Sequence, residues 1–317
     1  MSRIQFIHEY DDIISIENLL EAWREFIKGK KKRKDVQMFQ LHLIDNLYGL
    51  HIDLKNKTYV HRKYEGFTIS DPKPRNIHKA SVRDRILHRA IYIKLYLFFD
   101  KTFISDSFSC RISKGTHKAI ERFKIFDRKV SMNHTKTAWV LKCDIKKFFA
   151  SIDQSILNNI LVRYSPDKNV LWLLSQIISS FYSTQEGKGL PLGNLTSQLL
   201  VNVYMNEFDQ FVKHKLRAKY YIRYADDFVI LSDNEEYLEN LLPQIEEFLL
   251  DKLKLSLHPD KVSIKTIASG VDYLGWVHFP HHRVLRTSTK RRMFKNIKTK
   301  EGKPETIQSY LGLLKHG

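Results

Sequence analysis

An α+β fold is the class this sequence predicts, on three observations. Strand-like and helix-like stretches are intermixed without regular alternation. No Gly-rich turn follows the first strand, as a dinucleotide-binding fold would require. The apolar and aromatic run YYIRYADDFVILS at 220–232 reads as a hairpin turning near Ala225, with Asp226 and Asp227 at its tip.

The elements follow in order. Ile13, Ile16, Leu19, Leu20, Trp23, Phe26 and Ile27 recur at helical spacing, and Gly29 ends the run. KKKRK at 30–34 comes next, either a phosphate contact or a solvated loop. VRDRILHRAIYIKLYLFFD at 82–100 reads as helix, with basic residues among the apolar ones. Ala138 to Cys143 reads as a strand that delivers Asp144 at its end. A helix from Glu235 to Leu253 leads from the hairpin toward a third strand-like stretch, Val271 to Phe279. From His281 the chain is rich in Lys and Arg and reads as a short helical tail. There are no repeats and no low-complexity linker.

With 317 residues the chain can bury a large core. Lys and Arg number 53 against 35 Asp and Glu, a formal charge of +18, and 12% of residues are aromatic. That balance points to a polyanionic partner, the alternative being a basic surface that serves solubility. Two cysteines, Cys110 and Cys143, suggest neither a disulfide framework nor a zinc site. The N-terminus carries acids where a signal peptide needs basic and apolar residues, and no apolar run reaches membrane-spanning length. The expectation is a soluble, cytoplasmic protein with no membrane partner.

Asp144 at a strand end and Asp226 with Asp227 at a hairpin tip raise the question of why like charges are placed together. An Asp-Asp pair alone needs no function, since Asp favours turns. Three carboxylates on one spot, however, make a hard-cation site suited to Mg²⁺. Two such ions about 3.5 to 4 Å apart can activate a 3′-hydroxyl and stabilise a pyrophosphate leaving group.

The surrounding blocks resemble those of reverse transcriptases. YADD at 224–227 looks like their Tyr-x-Asp-Asp box, and CDIKKFFASID at 143–153 looks like their first palm motif. GLPLGNLTSQLLVNVY at 189–204 resembles the motif packed under template and nucleotide, HPDK at 258–261 the following motif with its lysine, and YLGW at 273–276 the primer grip. DPKPRNIHKASVRDRI at 71–86 and SFSCRISKGTHKAI at 107–120 resemble fingers segments. The blocks run in the family's order across roughly residues 65–280.

The resemblance implies a right-hand polymerase fold. Residues 1–65 would form an N-terminal helical segment, 66–137 the fingers, 138–282 the palm with an antiparallel sheet, and 283–317 a short or truncated helical thumb. It implies metal ligands at Asp144, Ile145, Asp226 and Asp227, holding two Mg²⁺ with Mn²⁺ as a substitute. Lys261 would protonate the leaving pyrophosphate, or is a solvated lysine at a strand end. Lys73 and Arg75 would hold the triphosphate, and Leu192, Gly193 and Gln198 would line the nucleotide site. Phe149, five positions after Asp144, occupies the place of an aromatic steric gate, or is a core aromatic. Tyr224, Tyr273, Leu274, Gly275 and Trp276 would face primer and template.

The box around Gly193 departs from the retroviral pattern: Leu192 stands where that pattern has glutamine, and Gln198 where it has proline. This is similar to the enzymes of diversity-generating retroelements, which copy a template RNA with frequent errors opposite adenine. Group II intron maturases fit less well, with about forty residues left after YLGW, and the Val-Thr-Gly signature of retron enzymes is absent. Either the thumb is minimal or the chain stops early. The resemblance implies an RNA-directed DNA polymerase of a mutagenic retroelement, working on template RNA, a cDNA primer strand and dNTPs. The alternatives are an anti-phage reverse transcriptase acting with a non-coding RNA, and a non-catalytic RNA-binding module, against which the intact aspartates argue. An accessory protein would compensate for the short thumb.

Overall fold

A computed structural model describes residues 5–70 and 74–314. In chain order the elements begin with helices α1 (Tyr10–Ile14), α2 (Ile16–Phe26), α3 (Lys34–Leu41) and α4 (Leu43–Lys55), the strands β1 (Glu65–Ile69) and β2 (Arg75–Lys79), and helices α5 (Val82–Asp100) and α6 (Thr116–Val130). Then come β3 (Trp139–Asp144), α7 (Phe148–Ser151), α8 (Gln154–Val162), α9 (Lys168–Ser179), α10 (Leu195–Gln210), β4 (Tyr220–Tyr224), β5 (Asp227–Ser232) and α11 (Glu235–Leu253). The chain closes with β6 (Ser263–Thr266), β7 (Val271–Tyr273), β8 (Trp276–His278), β9 (Arg283–Leu285), α12 (Thr287–Thr299) and α13 (Pro304–Leu314). Helices and strands mix as an α+β fold, and among the described residues no helix is long and apolar enough to cross a membrane.

The chain forms two compact units, each sewn from separate stretches. The first takes residues up to Phe103, Lys147–Asp209 and Asp251–Leu255; the second takes Ile104–Lys146, Gln210–Leu250 and the chain from Ser256 onward. In the first unit α5 is the organising helix. Ser81 caps it, its hydroxyl accepting from the Asp84 amide at 3.2 Å, and Ile86, Leu87, Ala90, Ile91 and Leu95 are buried along it. Buried Asp84 is satisfied by the Tyr59 hydroxyl at 2.8 Å and the Arg62 amide at 3.3 Å.

The expected single helix from Ile13 to Ile27 is two helices. Ser15 adopts an extended conformation and caps α2, accepting from the Asn18 amide, because a serine hydroxyl competes better at a helix start than inside a helix.

The second unit is built on a four-stranded antiparallel sheet in the order β4-β5-β3-β6. One end of its core joins Val140, Ile222, Val229 and Leu231 to Phe123 and Phe126 of α6 and to Tyr273. Strands β7, β8 and β9 make a separate three-stranded sheet. The stretch expected as one strand, Val271 to Phe279, is therefore a hairpin: Leu274 and Gly275 turn at φ +50° and +87°, as a tight two-residue loop needs. The expected short helical tail begins instead with β9, which pairs with β8, and continues as two helices. Arg283 lies over the Trp276 ring at 5.3 Å across the β8–β9 pair, an interaction hidden in a run of basic residues.

Candidate active site

The acid constellation sits at one end of the four-stranded sheet. Asp144 ends β3, Asp227 begins β5, and the two are direct cross-strand partners. Ala225, in the left-handed region at φ +57°, and Asp226 make the turn between β4 and β5. The Asp226 carbonyl accepts from the Ile145 amide at 3.1 Å, which ties the turn to the end of β3, and the Asp144 carbonyl accepts from the His258 amide at 2.7 Å. Pleat alternation puts Val140, Lys142 and Asp144 on the same face of β3, and their partners Leu231, Val229 and Asp227 on that face of β5. This face runs from apolar core to carboxylates within one strand length.

Directly opposed like charges destabilise a sheet, and two lysines answer them. Lys261 donates to Asp144 Oδ1 at 2.7 Å. Lys142 stands 4.0 Å from Asp227 Oδ1. Lys142 does not satisfy that oxygen, which is buried without a hydrogen-bond partner. Burial, the largest cause, pushes the Asp227 carboxyl up to about 6; the neighbouring Asp144 and Asp226 charges add to this, and Lys142 partly offsets it.

Among the described residues no three His, Cys, Asp or Glu side chains are gathered tightly enough to form a finished metal cage. The three carboxylates expected to converge share strand ends, but Asp144 is held by Lys261. The donor set nevertheless fits a hard cation: three carboxylates on adjacent backbone positions, one with a buried oxygen lacking a partner. Ile145, expected as a ligand, is buried at the bridge to Leu257, with its amide committed to Asp226.

The remaining expected residues fall in both units. Lys73 lies outside the described residues, and Arg75 is exposed at the start of β2. In the first unit Phe149 is partly buried, packs edge-on against Phe148 with centroids 5.5 Å apart, and accepts from the Leu190 amide at 2.8 Å through its carbonyl. The Leu192 carbonyl accepts from the His78 amide at 3.0 Å, and Asn194 Nδ2 donates to the His78 carbonyl at 3.0 Å, which ties β2 to the Gly193 loop. Gly193 has φ +102°, and a Cβ there would lie 2.8 Å from Ile77 Cγ2, so only glycine fits. The Gln198 amide donates to the Asn194 carbonyl in the first turn of α10.

In the second unit the Tyr224 hydroxyl accepts from Thr116 Oγ1 at 3.1 Å, and Tyr273 is fully buried, stacked on Phe123. Leu274 and Gly275 form their turn, and Trp276 is buried under Arg283. Tyr273 and Trp276 thus serve the packing of their hairpin.

Two residues escaped the sequence reading. Lys142 was legible from alternation, two positions before Asp144 in a strand. Arg223 was not: it is fully buried, donating to the Ala225 carbonyl at 3.1 Å and to Ser107 Oγ at 3.2 Å, a partner 116 residues away.

The chain belongs to the reverse transcriptase (RNA-dependent DNA polymerase) family, whose model matches residues 62–278. It is 25% identical over 260 residues to protein YkfC of Escherichia coli K12, covering 70% of this chain and 66% of that one. It is 22% identical over 276 residues to the group II intron-encoded protein LtrA of Lactococcus lactis subsp. cremoris, covering 66% of this chain and 44% of LtrA. The chain thus spans less than two thirds of these relatives. Its fold is similar to that of apo telomerase from Candida tropicalis truncated from the C-terminal domain, with a TM-score of 0.53 at 12% identity over 77% of this chain and 60% of that one. The right-hand polymerase fold follows.

Proposed function

We propose that this chain copies template RNA into DNA by nucleotidyl transfer at Asp144, Asp226 and Asp227. The observation that carries the reading is the buried, partnerless oxygen of Asp227 opposite Asp144, a local instability that makes sense where a cation is to be bound. Asp144, Asp226 and Asp227 would hold divalent cations, which supply activation of the primer 3′-hydroxyl and charge neutralisation at the pyrophosphate. Lys261, which donates to Asp144 Oδ1, would turn to the leaving group and give it a proton. Lys142 holds positive charge beside Asp227. Phe149 screens the sugar, and the Leu192–Gly193 loop, fixed to β2, carries the nucleotide and template side.

Asp226→Asn should nearly abolish Mg²⁺-dependent primer extension on an RNA template while leaving RNA binding largely intact, because it removes a ligand and no phosphate contact. A variant that extends primers at near wild-type rate sinks the assignment.

Leu192 favours the mutagenic retroelement among possible settings. An aliphatic side chain discriminates shape by only about 1–3 kcal/mol, so mispairs are rejected weakly. Misincorporation opposite template adenine should exceed that opposite the other bases. If adenine is copied as accurately as the rest, service in an anti-phage system with a non-coding RNA becomes the better reading. An accessory protein belongs to either setting.

A further inference from the structure

Packing accounts for only part of Tyr273. Its ring stacks on Phe123 with centroids 5.4 Å apart. Its hydroxyl is buried without a hydrogen-bond partner, as is Asp227 Oδ1. A buried hydroxyl left unpaired is destabilising, and phenylalanine would fill the same space without it, so packing gives no reason for the oxygen.

Both residues belong to the second unit and to one face of its sheet. Asp227, Val229 and Leu231 share a face of β5, and Tyr224 and Ile222 of β4 are the partners of Asp227 and Val229 on that face. Val229, Leu231 and Ile222 pack in the same core cluster as Tyr273, with Tyr224 against it. Tyr273 therefore roofs the face that Asp227 begins. The charges agree with the packing: burial is the largest cause that raises the Tyr273 hydroxyl well above its ordinary range, and the Asp227 carboxylate is the next. The phenol keeps its proton across the working pH range, whereas ionised Asp227 can only accept.

The other groups that reach Asp227 do not serve its Oδ1. Lys142 stops at 4.0 Å, Asp144 and Asp226 repel it, and Arg286 acts on it through charge, with Nη2 given to Asp272. We propose that Tyr273 is a positioning residue: its hydroxyl donates through one buried water to Asp227 Oδ1 and so fixes the carboxylate with Oδ2 left for a cation. The inference rests on the polymerase reading for the cation, and on the fold alone for the link between the two side chains.

Tyr273→Phe keeps the ring and removes only the oxygen. On the full chain in EDTA at pH 8 it should lower the thermal midpoint, and the loss should be smaller in the Asp227→Asn background, a non-additivity that independent sites do not show. Affinity for Mn²⁺ at the site that Asp226→Asn removes, followed by electron paramagnetic resonance, should fall about 10–100-fold, as when the group behind a metal ligand is lost. Primer extension should need correspondingly more Mg²⁺, with kcat lowered at fixed Mg²⁺ and KM for dNTP unchanged. A tyrosine that only packs gives the opposite sign: losing an unpaired buried hydroxyl raises the midpoint in both backgrounds and leaves Mn²⁺ affinity and kcat as they were. That result, or additive midpoint shifts, overturns the inference and, with wild type still extending primers, leaves the polymerase reading standing. A wild-type chain that binds no Mn²⁺ and extends no primer overturns both.

Discussion

Replacing Asp227 by asparagine should disable the enzyme and stabilise the protein. The carboxyl is held near about 6 instead of the ordinary 3.8, chiefly by burial and secondarily by Asp144 and Asp226. That difference corresponds to about 3 kcal/mol of penalty on the ionised form. The sign follows from proton binding: between pH 3.8 and about 6 the folded chain holds this proton and the unfolded chain has released it. Stability contributed here therefore falls as pH rises through that window, and the penalty is fully present above it. Asparagine keeps the volume and removes the charge. In EDTA at pH 8, Asp227→Asn should raise the thermal midpoint by several degrees, and the gain should shrink toward nothing near pH 4. Primer extension with Mg²⁺ restored should be lost. A variant less stable than wild type at pH 8, or equally stabilised at pH 8 and pH 4, would refute the claim that the site is charge-strained.

Phe149→Ala should open space beside the 2′ carbon of the incoming nucleotide, so incorporation of ribonucleotides should rise relative to deoxynucleotides; unchanged discrimination in single-nucleotide extension would reduce Phe149 to packing. Arg223→Met should strip the Ala225 carbonyl and Ser107 hydroxyl of a buried donor, at about 1–3 kcal/mol for each group left unsatisfied. Its urea midpoint should fall and kcat should drop more than KM for dNTP changes, since Arg223 holds the turn that presents Asp226. Wild-type stability with wild-type kcat would remove that role.

The placement of Asp144, Asp226 and Asp227 at strand ends and a turn was legible because strand alternation and turn chemistry are local. Residues 139–144 and 220–232 carry their own register, and Ala225 between Tyr224 and Asp226 marks the turn. Lys142 followed from the same alternation and was overlooked because a lysine in a strand reads as surface. Arg223 was illegible: its donors find a carbonyl two residues on and a hydroxyl 116 residues back, and only the fold brings the second near. Ser15 misled for the opposite reason. Apolar periodicity continues through it, and a side-chain hydrogen bond to Asn18 decides for a break.

The interleaving of the two units governs how the chain must be made. The first unit is incomplete until Asp251–Leu255 arrives, where Leu253 and Leu255 are buried and the Leu253 carbonyl accepts from the Tyr204 hydroxyl at 2.6 Å. A ribosome adding about 5–20 residues per second would display the apolar faces of residues 147–209 for many seconds before that closing segment appears. No uninterrupted fragment carries either unit without part of the other, and the first 250 residues lack the closing segment of the first unit, so their expression should give an aggregating product. The same stitching makes folding depend on contacts distant in sequence, which are slow to form.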